Sequence, residues 1–387
     1  MITRLDPGGS ATNTIVSVDR LRKHGFDTYL AYGPTMDPDG AIESRLSSIA
    51  TPRFYVPNLV RNPSIFNDSL AFSRLKKIIK NGSFDLVHTH TSKAGILGRL
   101  AARACGVPSI HTPHGHIFYG YFGPLLTNLF VHAERLMARH TEKIISLTNI
   151  ETSESLEKGI GTPDQYTTIH SGVPLASFRD INPASGAALR KQMGIDESAF
   201  VFVSIGRLVP VKGFDILLKA FAEAIFTNKN TCLIVAGDGD EKSRLESMAV
   251  DLGIADRVKF TGTLQDVRPA LSSANVFVLA SRNEGMGRVF VEAMAAGLPA
   301  IGTTVGGIPT LIDPGNTGWL VPPENPSALA TALNEASAGV DMLKRMGRTA
   351  ASFVFPEYDE ETMIDRLATL YREVLSKTAK QHSTVSG

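Results

Sequence analysis

The chain has 387 residues and a mass of 41.6 kDa; 43% of its residues are hydrophobic and 20% charged, which excludes wholesale disorder and suggests two or three cores rather than one. Thirty-nine lysines and arginines against 38 acids leave a net charge of +1, so bulk nucleic acid is not an expected partner; Cys105 and Cys232 cannot build a disulfide framework or a cysteine-rich zinc site. The first ten residues, MITRLDPGGS, contain no apolar run of signal-peptide length, and runs such as 200–205 and 276–280 fall far below the roughly 20 residues of a spanning helix. A reducing, cytoplasmic compartment is expected, with the inner face of the plasma membrane as a candidate position.

In chain order, 11–24 reads as a helix with Ile15, Val18 and Leu21 on one face, Ser10 as N-cap and Gly25 as the left-handed residue beyond its end. Strand-like runs follow at 28–32, 86–88, 109–111, 144–147 and 167–169, with helices filling the gaps. One of these, 94–105, stops at Gly106 before Pro108. After a Gly-, Pro- and Ser-rich stretch (171–186), strand 200–205, helix 214–226, strand 232–236, helix 242–252 and strands 258–260 and 276–279 restart the alternation. Helix 289–296, strands 300–302 and 319–321, helices around 328–336 and 343–351, and a last helix at 360–375 complete it, leaving 377–387 as a frayed polar tail.

Such alternation predicts parallel sheets covered on both faces. Residues 1–190 hold 20 basic and 15 acidic residues, 191–387 hold 19 and 23, and nine of ten histidines lie in the first half, so the halves differ in chemistry as well as charge. The expected division is 1–180, 181–357, and a C-terminal helix, 358–387, returning to the first domain.

Ligands of such folds are expected at the carboxyl ends of the strands, and five loops lie there. Asp6-Pro7-Gly8-Gly9-Ser10 would let backbone amides approach a phosphate or an acceptor, although a plain strand-to-helix turn uses the same residues. Gly206-Arg207 with Lys212 places two cations where a diphosphate leaving group could be neutralised; a solvated pair is the alternative. In Asn283-Glu284-Gly285-Met286-Gly287-Arg288, a helix starting near Gly287 would offer the amides of Met286 to Val289, with Glu284 and Glu292 as acceptors for sugar or ribose hydroxyls or as ordinary helix acids. The fourth is the glycine turn 303–309. The fifth is His111-Thr112-Pro113-His114-Gly115-His116, with His88 and His90 at another strand end; these spacings match no zinc site, so no metal is expected. Asp238-Gly239-Asp240 resembles a metal-binding Asp-x-Asp but reads as a turn with Asp240 as an N-cap.

Together the loops resemble the retaining glycosyltransferases of family 4. The resemblance is carried by GRLVPVKGFDILL (206–218), VAGDGDE (235–241), FTGTL (260–264), EGMGRVFVEAMAAGLPAI (284–301), TTVGGIPTLI (303–312) and NTGWLVPP (316–323), Glu284 and Glu292 forming a Glu-x7-Glu motif. In the first half, DPGGSATNT (6–14), FDLVHTHTSKAGILGRLAARACGVPSIHTPHG (84–115) and Glu134-Arg135 look like enzymes that extend bacterial surface glycans. The resemblance implies the α/β GT-B fold, two Rossmann-like doubly wound domains facing a central cleft. It also implies roles: Gly206, Arg207 and Lys212 on the donor diphosphate, Glu292 on the ribose, Glu284 with Met286, Gly287, Arg288 and Val289 around the sugar and phosphates. Gly262 and Leu264 would face the base, His114 the transferring sugar, and Gly8 with Gly9 the diphosphate and acceptor. Two departures stand out: only residues 1–5 precede Asp6, so the first strand is clipped or the recorded start is late, and Ala11 and Thr12 occupy a position where many members carry an acid.

The family pattern further implies metal-independent transfer with retention, forming an α-linkage from a nucleotide sugar, with UDP favoured over GDP, in lipopolysaccharide or exopolysaccharide synthesis. His114, Glu284, Arg207 and Lys212 would carry the chemistry. The expected partners are the donor and a glycan or polyprenyl-diphosphate acceptor. The aromatic segment 117–130 and the basic first half suit peripheral docking on an anionic membrane, or else the segment is a buried helix. A nucleotide-sugar epimerase and an inactive binding subunit are the alternatives.

Overall fold

The computed structural model describes residues 1–6, 8–35, 40–115, 123–224, 226 and 230–385. The chain divides into unit 1, Met1–Gly172 with Glu360–Gly387, and unit 2, Val173–Asp359.

Unit 1 contains α1 (Gly9–Arg20), β1 (Leu30–Tyr32), α2 (Ala41–Ser47), β2 (Arg53–Tyr55), α3 (Ile65–Gly82), β3 (Val87–His90), α4 (Ser92–Ala104), β4 (Ser109–Thr112), α5 (Pro124–Ala138), β5 (Lys143–Ser146), α6 (Asn149–Glu157) and β6 (Tyr166–Thr168). β1 pairs β2, and β3 to β6 run in order, all parallel. Ile2 bridges both Tyr32 and His90, so the short segment before the first glycine loop joins the two sets as a central strand position. Chain order therefore reverses between Ile2 and β3. One face is covered by Ala71, Leu75 and Ile79 of α3 with Ala94, Ala101 and Ala102 of α4. Against the other lie Ile364, Leu367, Tyr371 and Val374 of the returning C-terminal helix, packed on Ile110 and Ile145.

Unit 2 contains α7 (Leu175–Arg179), α8 (Pro183–Gln192), β7 (Phe200–Ile205), α9 (Phe214–Glu223), β8 (Thr231–Ala236), α10 (Lys242–Asp251), β9 (Val258–Gly262), α11 (Arg268–Ser272), β10 (Val276–Leu279), α12 (Arg288–Ala295), β11 (Ala300–Thr303), α13 (Ile308–Leu311), β12 (Gly318–Val321), α14 (Pro326–Ser337) and α15 (Val340–Val354); α16 (Glu360–Val385) belongs to unit 1. The order β12-β11-β10-β7-β8-β9 is wholly parallel. Strands β7, β8, β10 and β11 are buried along their whole length, which is why they read as unbroken apolar runs rather than alternations. The reversal falls between β7 and β10, where Val276 pairs with Phe202.

Several expectations shift. The unit boundary lies at Gly172/Val173 rather than 180, because Val173 donates to the Tyr358 carbonyl (2.8 Å) and α7 packs on α12. Ser10 is not an N-cap: Gly8 occupies that position, its carbonyl accepting from Thr12 N–H (3.1 Å), and residues 21–24 tighten into a 3₁₀ turn closed by Gly25. Asp240 is not one either. α10 starts at Lys242, and Asp238 shapes the turn, accepting from Gly239 N–H (2.7 Å) and meeting Lys242 Nζ (3.2 Å). Helix 214–226 ends at Glu223. The supposed tail continues α16 to Val385, as no Gly or Pro intervenes to stop it.

Candidate active site

Unit 2 gathers its predicted residues at the carboxyl ends of β7 and β10, the two strands that flank its reversal point. There the connections leave in opposite directions and open a crevice, the usual ligand position in a doubly wound sheet. Lys212 comes from the β7 side and Glu284 from the β10 side; their side chains, 20% and 11% exposed, form a close ion pair across the reversal. Ser281 Oγ also donates to Glu284 (3.4 Å). Arg207 is exposed; its carbonyl accepts from Val209 N–H (2.9 Å), while its guanidinium makes no hydrogen bond or ion pair among the described residues. α12 begins without a side-chain cap, at Gly287 in the left-handed conformation (φ 85°), so its first-turn amides and dipole suit an anion. Met286 is buried, and Glu292 lies one turn into α12, its carboxylate 3.9 Å from Arg288.

The glycines hold these loops in contact. A Cβ on Gly237 would overlap the Gly206 carbonyl, and one on Gly239 would crowd that of Leu208, so the VAGDG turn packs directly on the loop bearing Arg207. Gly306 (φ 49°) lies under Glu284 in the same way: any side chain would strike the Glu284 carbonyl, which instead accepts from Gly307 N–H (3.2 Å). Gly237 N–H donates to the Gly262 carbonyl (2.9 Å), which ties the loop of Gly262 and the half-buried Leu264 to this set. Val289 is half-buried on α12.

Arg282 gave no signal in the sequence. Its guanidinium makes a bidentate pair with Asp215 (2.8 and 2.9 Å), bonds Glu324 and the Pro210 carbonyl, while its N–H donates to the Val211 carbonyl (2.8 Å). One side chain therefore fixes the Lys212 turn against the Glu284 loop.

In unit 1 Gly8 and Gly9 form the uncapped start of α1; Pro7 and His116 lie outside the described residues. His88, His90, His111 and His114 occupy the adjacent ends of β3 and β4. His90 Nδ1 meets His114 Nε2 at 2.8 Å, His88 bridges Tyr371 OH (2.6 Å) and Thr112 Oγ1 (2.8 Å), and His111 Nδ1 lies 2.9 Å from Thr89 Oγ1. His114 takes a left-handed backbone (φ 61°). Its neighbour Gly115 donates to Glu151 Oε1 (3.1 Å), a buried carboxylate that sequence reasoning missed.

Burial pushes His88, His90 and His111 well below the usual imidazole range, with nearby positive charge adding to it, so these three rings are neutral at physiological pH. Burial raises Glu292 above the ordinary carboxylate range and Arg288 partly offsets it. Among the described residues no group of three or more His, Cys, Asp or Glu side chains is arranged to hold a metal ion.

Two parallel α/β units, with glycine loops at both reversal points, define the class: a GT-B fold. In agreement, Anabaena HepE, solved in complex with UDP, superimposes with a TM-score of 0.82 at 23% identity, covering 96% of this chain and 99% of that one. Residues 187–353 match the family glycosyl transferases group 1, and residues 7–177 match glycosyltransferase family 4. The chain is 29% identical over 328 residues to the UDP-Gal:alpha-D-GlcNAc-diphosphoundecaprenol alpha-1,3-galactosyltransferase of Escherichia coli, covering 83% of this chain and 84% of the relative. It is 30% identical over 312 residues to the D-inositol 3-phosphate glycosyltransferase of Saccharomonospora viridis, covering 76% and 71%. The corresponding protein of Streptomyces scabiei matches at 32% over 290 residues; 70% of this chain is covered, and the match spans 64% of that relative, under two thirds of its length. This chain belongs to glycosyltransferase family 4, and its class is hexosyltransferase.

Proposed function

We propose that the chain transfers a hexosyl or N-acetylhexosaminyl group from a UDP-sugar to a glycan or polyprenyl-diphosphate-linked acceptor, with retention and without a metal, in surface-polysaccharide synthesis. The observation that carries this reading is the Lys212–Glu284 pair across the reversal of unit 2, bordered by Arg207, the α12 N-terminus and Glu292. Lys212, Arg207 and the α12 amides take the diphosphate; Glu292 accepts from the ribose hydroxyls; Glu284 accepts from the sugar. The bond from the anomeric carbon to the acceptor oxygen forms on the face from which the nucleotide departs. The carbon–phosphate-oxygen bond breaks, and the acceptor's proton passes to the departing phosphate oxygen. The two cations stabilise the charge that grows there. Unit 1 supplies the acceptor loop at Gly8–Gly9 and His114, which hydrogen-bonds the transferring sugar. The name of the Escherichia coli relative supports a UDP-hexose donor and a lipid-diphosphate acceptor.

The test is a panel of UDP-galactose, UDP-glucose and UDP-N-acetylglucosamine with a polyprenyl-diphosphate N-acetylglucosamine acceptor, in EDTA. An α-linked disaccharide-lipid is expected. Interconversion of the nucleotide sugars without acceptor would instead mark an epimerase. Failure of UDP to raise the melting temperature would mark loss of the donor site, since a ligand at a hundred times its Kd stabilises by about 2.7 kcal/mol.

A second reading, membrane docking, rests on α5. Residues 117–122 lie outside the described residues, but Leu125, Leu129 and Leu136 are 90%, 62% and 46% exposed, and Arg135 on the same helix and Arg139 at its C-cap are exposed. No helix among the described residues is long and apolar enough to cross a membrane. Leucines beside arginines suit insertion into an anionic leaflet, here the inner face of the plasma membrane. Leu125→Glu with Leu129→Glu is expected to reduce co-sedimentation with phosphatidylglycerol vesicles by about tenfold or more. Equal binding to neutral vesicles, or no change in the double variant, counts against it.

A further inference from the structure

The turn carrying His114 is energetically awkward. An L residue in the left-handed region forgoes its preferred backbone and persists when neighbours hold it there. His90 holds the ring, 2.8 Å from His114 Nε2, and Glu151 holds the backbone through Gly115 N–H. Glu151 is 4% exposed and stands in the first turn of α6, a different element from the one it supports.

Its two oxygens do separate work. Thr148-x-x-Glu151 has the spacing of a capping box: Thr148 Oγ1, at the N-cap, accepts from Glu151 N–H (3.1 Å), while Glu151 Oε2 reaches one residue beyond the cap to Leu147 N–H (2.5 Å). A glutamine satisfies that duty equally well. Oε1 is surplus to the helix end and is lent to Gly115, 36 positions earlier. Capping therefore accounts for an acidic or amide side chain at 151, while bridging α6 to the His114 turn accounts for a carboxylate with two acceptors.

We propose that Glu151 is a positioning residue for His114, fixing the left-handed turn that presents the imidazole to the sugar. The proposal rests on the role given to His114 above.

Glu151→Gln keeps one acceptor for the helix end and replaces the other with an NH₂ group, which cannot accept from Gly115. UDP release from UDP-galactose and from UDP-glucose is the readout, with kcat and KM separated, together with melting temperature. A loss of roughly 10- to 100-fold in kcat is expected, with KM changed little, because a misplacement of about 1 Å at a reacting group costs up to 10²-fold. Thr148→Ala damages the same helix end without touching Gly115 and is expected to retain kcat. In a His114→Ala background Glu151→Gln is expected to add no further loss.

A wild-type kcat in Glu151→Gln overturns the proposal. So does a loss that multiplies in full with that of His114→Ala, or one that Thr148→Ala reproduces at equal destabilisation. Should Glu151→Gln fail to fold, Glu151→Asp, whose carboxylate is one methylene shorter, is read by the same cycle. If His114→Ala is itself fully active, it is the role of His114 that fails.

Discussion

Lys212→Ala is expected to lower kcat/KM by about 10²- to 10³-fold, the effect of removing one preorganised group from charge that develops in the transition state. The loss should fall mainly on kcat, since the leaving phosphate carries more charge at the transition state than in the bound donor. The variant has a second effect that can be separated from the first. Lys212 is the ion-pair partner of Glu284, so alanine leaves a largely buried carboxylate without its cation, at a cost of about 1–3 kcal/mol in stability. Lys212→Ala combined with Glu284→Gln should recover stability and not turnover. Steady-state kinetics beside thermal melts checks both, and wild-type kcat in Lys212→Ala would sink the assignment.

On the proposed reading, this pairing also keeps the donor loops ordered in advance of substrate. Lys212 and Glu284 neutralise each other, and a diphosphate and a sugar would replace that pairing, while Arg282 holds their loops through Asp215, Glu324 and two backbone carbonyls. The loops thus pay little reorganisation when the donor arrives, which is what electrostatic catalysis requires.

What could be read in advance follows from the same packing. Gly237, Gly239 and Gly306 face backbone carbonyls with no room for a Cβ, so VAGDG and TTVGG stand out as local patterns, and the loops packed around Arg207 and Glu284 could be located from them. The buried strands of unit 2 were legible because both faces are apolar. β2, Arg53–Tyr55, was missed: it is a three-residue edge strand whose first and last residues are exposed, so it carries neither an apolar run nor an alternation. Arg282 and Glu151 escaped for another reason. Their partners lie 67 and 36 positions away, and an arginine or a capping-box glutamate looks ordinary in its own window. Ser10 and Asp240 were misplaced because a glycine and an uncapped start took the positions that polar residues usually fill.

Glu292→Gln is expected to weaken UDP binding by about 10- to 100-fold, the value of hydrogen bonds to a charged acceptor that an amide only half replaces. Without nucleotide the direction reverses. Burial holds Glu292 above its unfolded pKa, with Arg288 only partly offsetting it. The folded state therefore binds this proton more tightly. The associated stability is fully present below the unfolded value and is lost as pH rises through the folded one. At neutral pH the ionised carboxylate is a liability to folding that glutamine removes, so the variant should melt no lower than wild type. The same titration governs binding: ribose hydroxyls need the ionised form, so wild-type affinity for UDP should fall as pH drops from neutrality toward about 4, the ordinary carboxylate range. A terminal phosphate titrates near pH 6 and adds its own slope, but that slope is common to both proteins. Calorimetric titration of UDP across this window should therefore show a steeper acid-side decline in wild type than in Glu292→Gln; superimposable pH profiles would detach Glu292 from the ribose.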